Sequence, residues 1–358
     1  MRRSSMISFI LSVFLMGTLI ACSSYAGETV PANGVSMNRG PAVEKRQIQS
    51  WGGTGTAEPF KAHGRLSVKG ADLVDADGAS FQLKGVSTHG LQWFPQYVSE
   101  DTFHTLKTDW GANAVRLAMY TKEGGYIDGN RSALEAVIDR GVQAAYSQSM
   151  YVIIDWHILS DGNPNQYTAE AKDFFSRMSL KYAGYGNVLY EICNEPNGGV
   201  SMQDIKTYAD QIIPAIRAND ASAVILVGTP NWSQYPDEAS AYPAAQPANV
   251  MYTLHFYAGT HKDDIRNRLI KARELGVPVF ISEYSICDAS GNGGTDLSSA
   301  AQWKQLISQY NISCIAWSLC NKAETSALLK TSCSKVSGFT DADLSETGLW
   351  VKQMISGR

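Results

Sequence analysis

VLYEICNEPNG, residues 188–198, is the stretch from which the rest of the chain can be read. Val188, Leu189, Tyr190 and Ile192 have the character of a short buried strand. Pro196 and the Asn197-Gly198-Gly199 turn end it. A proline disfavours helix for the residue before it, so Glu195 is expected to lie extended at the strand terminus. Packing gives little reason for a carboxylic acid there with an amide, Asn194, beside it. Proton donation to a leaving oxygen gives a good one. A second run, VPVFISEY at 277–284, also ends in a glutamate, Glu283. The question for the remaining chain is whether it brings these two carboxylates together.

Outward from this stretch the sequence settles into a rhythm. Candidate strands are 82–88, 112–118, 151–156, 188–193, 224–227, 250–255, 277–282 and 313–318. Amphipathic helix candidates lie between them, the clearest being 132–148, 170–182 and 202–218. Eight strands alternating with helices over about 250–300 residues predict an α/β fold, a (β/α)8 TIM barrel. A doubly wound sheet is the alternative, but no Gly-rich dinucleotide loop follows an early strand. Ahead of the barrel, 65–83 reads as a short N-terminal β-hairpin, with Asp77-Gly78 as the turn and Phe81-Gln82-Leu83 answering Leu66-Ser67-Val68.

A barrel carries its chemistry at the C-terminal ends of its strands. Applied strand by strand, the rule collects His89 after the first, Arg116 and Tyr120 on the second, and Asp155 and His157 on the third. It then gives Asn194 and Glu195, Trp232 after the fifth, His255 and Tyr257, Glu283, and Trp317 on the eighth. On the third, sixth and seventh strands these share parity with apolar or small residues, as an inward row should. Two strand-end carboxylates are what retaining glycoside hydrolysis uses. Asp155 reads as a deeper structural partner, and His63, His104 and His261 as surface residues.

Composition narrows the class. The chain has 358 residues and a formal net charge of −4, so nucleic acid is excluded as an expected partner. Charged residues are only 18%, and the 8 Trp and 17 Tyr suit a flat, hydroxyl-bearing ligand such as a sugar. Arg2 and Arg3 precede an apolar run, 7–20, that is short for a membrane span and reads as a secretory leader, 1–26. Leu19-Ile20-Ala21-Cys22 resembles a bacterial lipobox, with Cys22 as the lipidated first residue of a mature chain starting at 22; cleavage after Ser24-Tyr25-Ala26 is the alternative. Residues 27–60 read as a flexible tether and 61–358 as the catalytic domain. Beyond Cys22 five cysteines remain, an odd number that argues against a disulfide framework, and no CxxC spacing suggests zinc. Cys193 is expected inside the barrel, and a Cys320–Cys333 bridge is left open. Neither metal nor cofactor is expected. A monomer is expected, exported across the inner membrane and either anchored at the cell envelope or released.

KGVSTHGLQW, NAVRLAMY, VIIDWHILSD, VLYEICNEPNG, MYTLHFYAGTH, VFISEYS and AWSLCNKAETSALL, in this order, resemble glycoside hydrolase family 5, nearest to its bacterial endoglucanases. The likeness runs from about Arg65 to the closing DLSETGLW. It implies a retaining endo-β-1,4-glucanase acting on cellulose and related β-glucans. Within the class, a mannanase, xylanase or xyloglucanase is the alternative. The resemblance makes Glu195 the general acid/base and Glu283 the nucleophile. Arg116 and Tyr257 would favour the Glu283 anion, and the Glu283 charge would keep Glu195 protonated. Asn194 is similar to the family residue that bonds the sugar 2-hydroxyl. His157 and His255 resemble its orienting histidines, and His89, Trp93, Tyr120, Trp232, Trp317 and Lys322 its sugar-contacting groups. One departure is Glu283-Tyr284-Ser285, where the family often has Glu-aromatic-Gly. Two other classes would leave different marks in the sequence. A glycan-binding protein that does not cut would lack one carboxylate, and a metal-dependent barrel would show clustered Asp/His ligands on adjacent strands. The sequence has both carboxylates and no such cluster.

Overall fold

The computed structural model describes residues 59–357. Cys22, the leader and the tether up to residue 58 lie outside the described residues. Eight parallel strands form a closed barrel. They are β1 (Lys84–Thr88), β2 (Ala114–Tyr120), β3 (Tyr151–His157), β4 (Val188–Glu191), β5 (Ile225–Val227), β6 (Val250–Tyr257), β7 (Val279–Ser285) and β8 (Cys314–Leu319). Each pairs with its sequence neighbours, and β8 closes on β1. The predicted fold is the observed one, with the strands shifted by one to three residues at their ends.

Alternation along each strand sorts its side chains into two layers. On β2, Val115, Leu117 and Met119 face the helices, and on β3 so do Val152, Ile154 and Trp156. The helices answer with single apolar stripes. In Met202–Arg217 the buried residues are Met202, Ile205, Tyr208, Ala209, Ile212, Ile213 and Ile216, and a Ser201/Asp204 capping box starts the helix. Burying each isoleucine contributes about 1.5–3 kcal/mol. Gly85 lets β1 approach β2, since a Cβ there would meet the Ala114 carbonyl oxygen at 1.9 Å.

The inward row is graded along the barrel axis. Its lower layers are apolar: Ala114, Tyr151, Ile153, Leu189, Leu226, Met251, Phe280 and Ile315, joined by Leu66 and Leu73 from the hairpin. The upper layers carry Arg116, Asp155, Glu191 and the strand-end groups. Register aligns them, with Asp155 opposite Glu191, Tyr120 opposite His157 and His255 opposite Glu283.

Three local expectations are corrected. The hairpin strands are Ser67–Lys69 and Asp72–Val74, turning through Gly70-Ala71. Asp77-Gly78 makes only a second turn, closed by a Val74–Ser80 bridge. At the start of the described residues, Phe60 donates its N–H to Ser149 O and packs edge-on to Tyr151, so it belongs with the barrel rather than with the tether. Cys193 lies in the strand–helix layer, because β4 ends at Glu191 and the chain leaves strict alternation there. It and Cys287, Cys314, Cys320 and Cys333 are free and buried, so there is no Cys320–Cys333 bridge.

Candidate active site

Arg116 is the hub of the upper barrel. It is fully buried and surrounded by acceptors. Its Nε donates to Glu191 Oε2 at 2.7 Å and its Nη2 to Asn194 Oδ1 at 2.6 Å. Nη2 also lies 3.0 Å from Asp155 Oδ2, and Nη1 donates to Glu283 Oε2 at 3.3 Å. A buried guanidinium needs such partners, and a planar fork can serve several at once.

Glu283 ends up where strand parity and a register irregularity in β7 aim it, at the mouth. Tyr257 OH donates to its Oε1 at 2.7 Å. Glu195 stands in the loop beyond β4, four residues past the last strand residue, and its Oε1 meets His255 Nδ1 at 2.9 Å. One carboxylate oxygen from each of Glu195 and Glu283, together with a His255 nitrogen, lie within 4.8 Å of one another. Among the described residues this is the group whose donor atoms could converge on a metal ion, but the His255 nitrogens face Glu195 and Ser282.

Burial and the Glu195 charge push Glu283 up to about 7. The two carboxyl groups form one closely spaced pair. His157 is driven well below its ordinary value by burial and by Arg116, and so is neutral. It bonds Asp155 Oδ2 through Nδ1 at 2.6 Å and stacks on Trp317 at 5.2 Å. Asp155 is thus the deeper structural partner that the sequence suggested. Asn194 is fully buried. Its Nδ2 donates to Ile158 O and to His157 Nε2, so a sugar hydroxyl would have to displace the 3.3 Å bond to His157.

A cleft of about 510 Å³, within the usual ligand range, is lined by both glutamates and by His89, Tyr120, His157, Trp232, His255, Tyr257, Trp317 and Lys322. Trp93 stands at its edge, 5.5 Å from His89 and 4.9 Å from Tyr120. Trp93 and Trp232 are each 44% exposed, unusual for tryptophan and suited to stacking on a ligand. Every sequence-predicted site residue within the described range falls in or directly behind this cleft.

Four residues escaped the sequence reading. Glu191 supports Arg116; its inward parity with Leu189 was the available signal. Ser282 joins Glu191 to His255: its Oγ donates to Glu191 Oε1 at 2.8 Å and lies 2.9 Å from His255 Nε2. Glu324 lies beside Lys322 at 2.6 Å and 3.6 Å from His89 Nε2. Against burial, His89 and Lys322 hold it at about 2. Only the tertiary approach of two loops makes it a site residue. His261 is buried rather than surface: its Nδ1 accepts from Tyr257 N at 2.8 Å and its ring lines the cleft. Ser285, the departure from the glycine pattern, simply continues β7 and accepts from Ala258 N at 2.9 Å.

A closed parallel barrel with paired carboxylates and aromatic platforms at its C-terminal mouth defines a barrel glycosidase. Residues 74–323 match the family described as cellulase, glycosyl hydrolase family 5, and the chain belongs to that family. It is 50% identical over 295 residues to an endoglucanase of Clostridium saccharobutylicum, covering 82% of this chain and 65% of that protein. It is 48% identical to endoglucanase A of Butyrivibrio fibrisolvens over 83% of this chain and 70% of that one. The chain thus spans just under two thirds of the first of these relatives. The solved catalytic domain of a Thermobifida fusca endoglucanase in complex with cellotetraose superposes with a TM-score of 0.80 at 35% identity, covering 83% of this chain and 99% of that one.

Proposed function

We propose that the protein is a retaining endo-β-1,4-glucanase, cutting internal bonds of cellulose and related β-glucans. The observation that carries this is the approach of Glu195 and Glu283 oxygens within 4.8 Å. Retaining pairs stand about 5–5.5 Å apart, whereas inverting pairs need roughly 6.5–9.5 Å to admit a water. Glu283 is the nucleophile. Its oxygen bonds to the anomeric carbon while the glycosidic C–O bond breaks and Glu195 gives its proton to the leaving oxygen. Water then attacks the same carbon and loses its proton to Glu195, and the bond to Glu283 breaks.

Hydrogen bonding supports this division of roles. Tyr257 OH and Arg116 Nη1 both donate to Glu283, which favours the anion that the nucleophile must be. The cleft lining draws on His89, Lys322 and Glu324 from the loops after β1 and β8, and on Trp232 from the loop after β5, across the barrel mouth. Sugar-binding groups across the mouth suit an internal cut. No metal or other cofactor has a part in these steps. The chain is read as a monomer, exported and held at the cell envelope through a lipid on Cys22, or otherwise released. Labelling with a radioactive fatty acid, lost in Cys22→Ser, tests the anchor.

The activity test is reducing-end release and viscosity loss on carboxymethyl cellulose. Fast viscosity loss with few new ends is expected, and Glu195→Ala and Glu283→Ala should each remove it. An inactive wild type would move the substrate to mannan, xylan or xyloglucan. Full activity in either variant would refute the role given to that glutamate.

A further inference from the structure

Three consecutive carbonyls around Glu195 are each held by a hydrogen bond, and two of the three bonds come from one short turn. Ser233 Oγ donates to Asn194 O at 2.6 Å, and Trp232 N donates to Pro196 O at 2.9 Å. The third carbonyl, Glu195 O, accepts from Asn197 Nδ2 at 2.9 Å. The turn, Pro230–Ser233, follows β5 and lies against the Glu195 loop. Gly228 permits that approach, since a Cβ there would meet Cys193 O at 2.3 Å and Pro196 Cδ at 2.8 Å. Neither the family match nor the two-glutamate chemistry gives this turn a part in proton transfer.

The backbone of the turn is left-handed at three residues in a row. Asn231, Trp232 and Ser233 have φ of 57°, 57° and 55°, and none is glycine. Such a backbone costs free energy and persists only where its surroundings hold it. Ser233 supplies that hold. Its hydroxyl is sealed from solvent and fully used. It accepts from Thr229 N at 3.2 Å and from Thr253 Oγ1 at 3.0 Å, and its single hydrogen goes to Asn194 O. Trp232 is the outward member of the turn, half-exposed and lining the cleft. The sugar that leaves carries the oxygen that Glu195 protonates, so it stands on the Glu195 side of the broken bond. One turn thus offers that sugar a ring to stack on and fixes the peptide that presents its proton.

We propose that Ser233 is a positioning residue for Glu195, and that the Pro230–Ser233 turn couples sugar stacking on Trp232 to proton delivery by Glu195. Proton transfer demands a heavy-atom approach of about 2.6–3.2 Å. His255 holds one carboxylate oxygen of Glu195. The turn holds the backbone from which that side chain springs. A displacement of about 1 Å is enough to cost a catalytic group much of its effect. A leaving-side sugar packed on Trp232 bears on the same backbone. Its binding energy is therefore expressed in the transition state more than in the ground state, which raises kcat.

This rests on the reading of Glu195 as proton donor, and Glu195→Ala run in parallel keeps the two apart. The full chain is assayed for kcat/KM, which reports the bond-breaking step, on two aryl β-cellobiosides. The phenyl leaving oxygen needs a proton and the 2,4-dinitrophenyl one does not. Ser233→Ala removes the hydroxyl and keeps a Cβ, so it adds no new backbone penalty at that φ. It should lose roughly tenfold on the phenyl glycoside, part of the general-acid contribution, and under about threefold on the dinitrophenyl one. An equal loss on both is what a mere loosening of the fold would give, and it overturns the proposal. So does no loss on either. Trp232→Ala alters only a cleft-exposed ring and answers even where Ser233→Ala does not fold. It should lower kcat on cellotetraose about threefold or more while raising KM. A rise in KM at unchanged kcat would make Trp232 a platform uncoupled from Glu195 and overturn the coupling. An equal loss on both glycosides in Glu195→Ala would instead remove the proton donor itself, and the role of Ser233 with it.

Discussion

The lower and upper halves of the barrel interior are built from the same eight strands and the same alternation, yet they do opposite work. Below, Tyr151, Leu189, Leu226, Met251 and Phe280 close the barrel with apolar side chains sealed by Leu66 and Leu73 of the hairpin. Above, the inward residues farther along the barrel include Arg116, Asp155, Glu191, His157 and His255, all buried and all polar. Burying such groups costs free energy unless they are paired. The comparison teaches that the lower half supplies stability, which the upper half draws on to hold charges in working positions.

Arg116→Met should break this division most severely. It removes the partner of Glu191, Asp155 and Glu283 together and leaves buried carboxyl groups uncompensated. The expected cost is about 3–5 kcal/mol of stability, with activity lost in whatever protein remains folded. Urea denaturation alongside viscosity assays checks both effects. Phe280→Ala, one layer from the hairpin plug, should cost a similar or slightly smaller amount, about 3–5 kcal/mol, by opening a cavity. The same pair of measurements should differ in one respect: activity per folded molecule should stay near wild type. If Phe280→Ala removed activity without loss of stability, the two halves would not be separable.

Glu283→Gln sharpens the comparison in the opposite direction. The folded carboxyl, near 7, lies above its unfolded value of about 4.3, so between these values the native state binds more protons than the unfolded chain. Its contribution to stability is therefore present at acid pH and declines as pH rises through that window. The glutamine variant does not titrate. It should be inactive, equal to wild type near pH 4, and more stable by about 1–3 kcal/mol at pH 8. Thermal unfolding across pH measures this. Equal melting curves at pH 8 would mean that the nucleophile is not held at a cost.

These two halves also differed in how far the sequence revealed them. The barrel was legible because buried parallel strands read as apolar runs and catalytic residues recur at strand ends. Glu195, Glu283, Arg116 and His255 each announced themselves as polar residues in apolar surroundings. What stayed hidden depends on contacts between distant segments. Glu324 matters because its loop reaches His89, 235 residues earlier in the chain, and nothing local to Glu324 says so. His261 lies in a polar loop, TH followed by KDD, and became buried only because the chain folds back onto the Tyr257 N–H. Ser282 looked like any small strand residue. Its role exists only because Glu191 and His255 arrive on either side of it.

The smallest effect concerns the edge of the cleft, where neither half of the barrel interior is involved. Trp93 packs edge-on against Tyr120 and His89 with nearly half its surface exposed, so it contributes little to the core. Its exposed surface adjoins the Lys322–Glu324 pair through His89. A sugar bound there would stack on the ring while the charged pair holds its hydroxyls. Trp93→Ala should therefore leave thermal stability within about 0.5 kcal/mol, the ordinary range for a surface substitution. Aromatic stacking is worth about 0.5–1.5 kcal/mol, so KM on cello-oligosaccharides long enough to reach it should rise roughly threefold to tenfold. kcat should change little, because the ring stands at the edge of the cleft and holds ground state and transition state alike. Initial rates on oligosaccharides of increasing length test this. A fall in kcat at unchanged KM would show instead that Trp93 acts through Tyr120 on the catalytic pair, making the rim part of the machinery rather than a platform beside it.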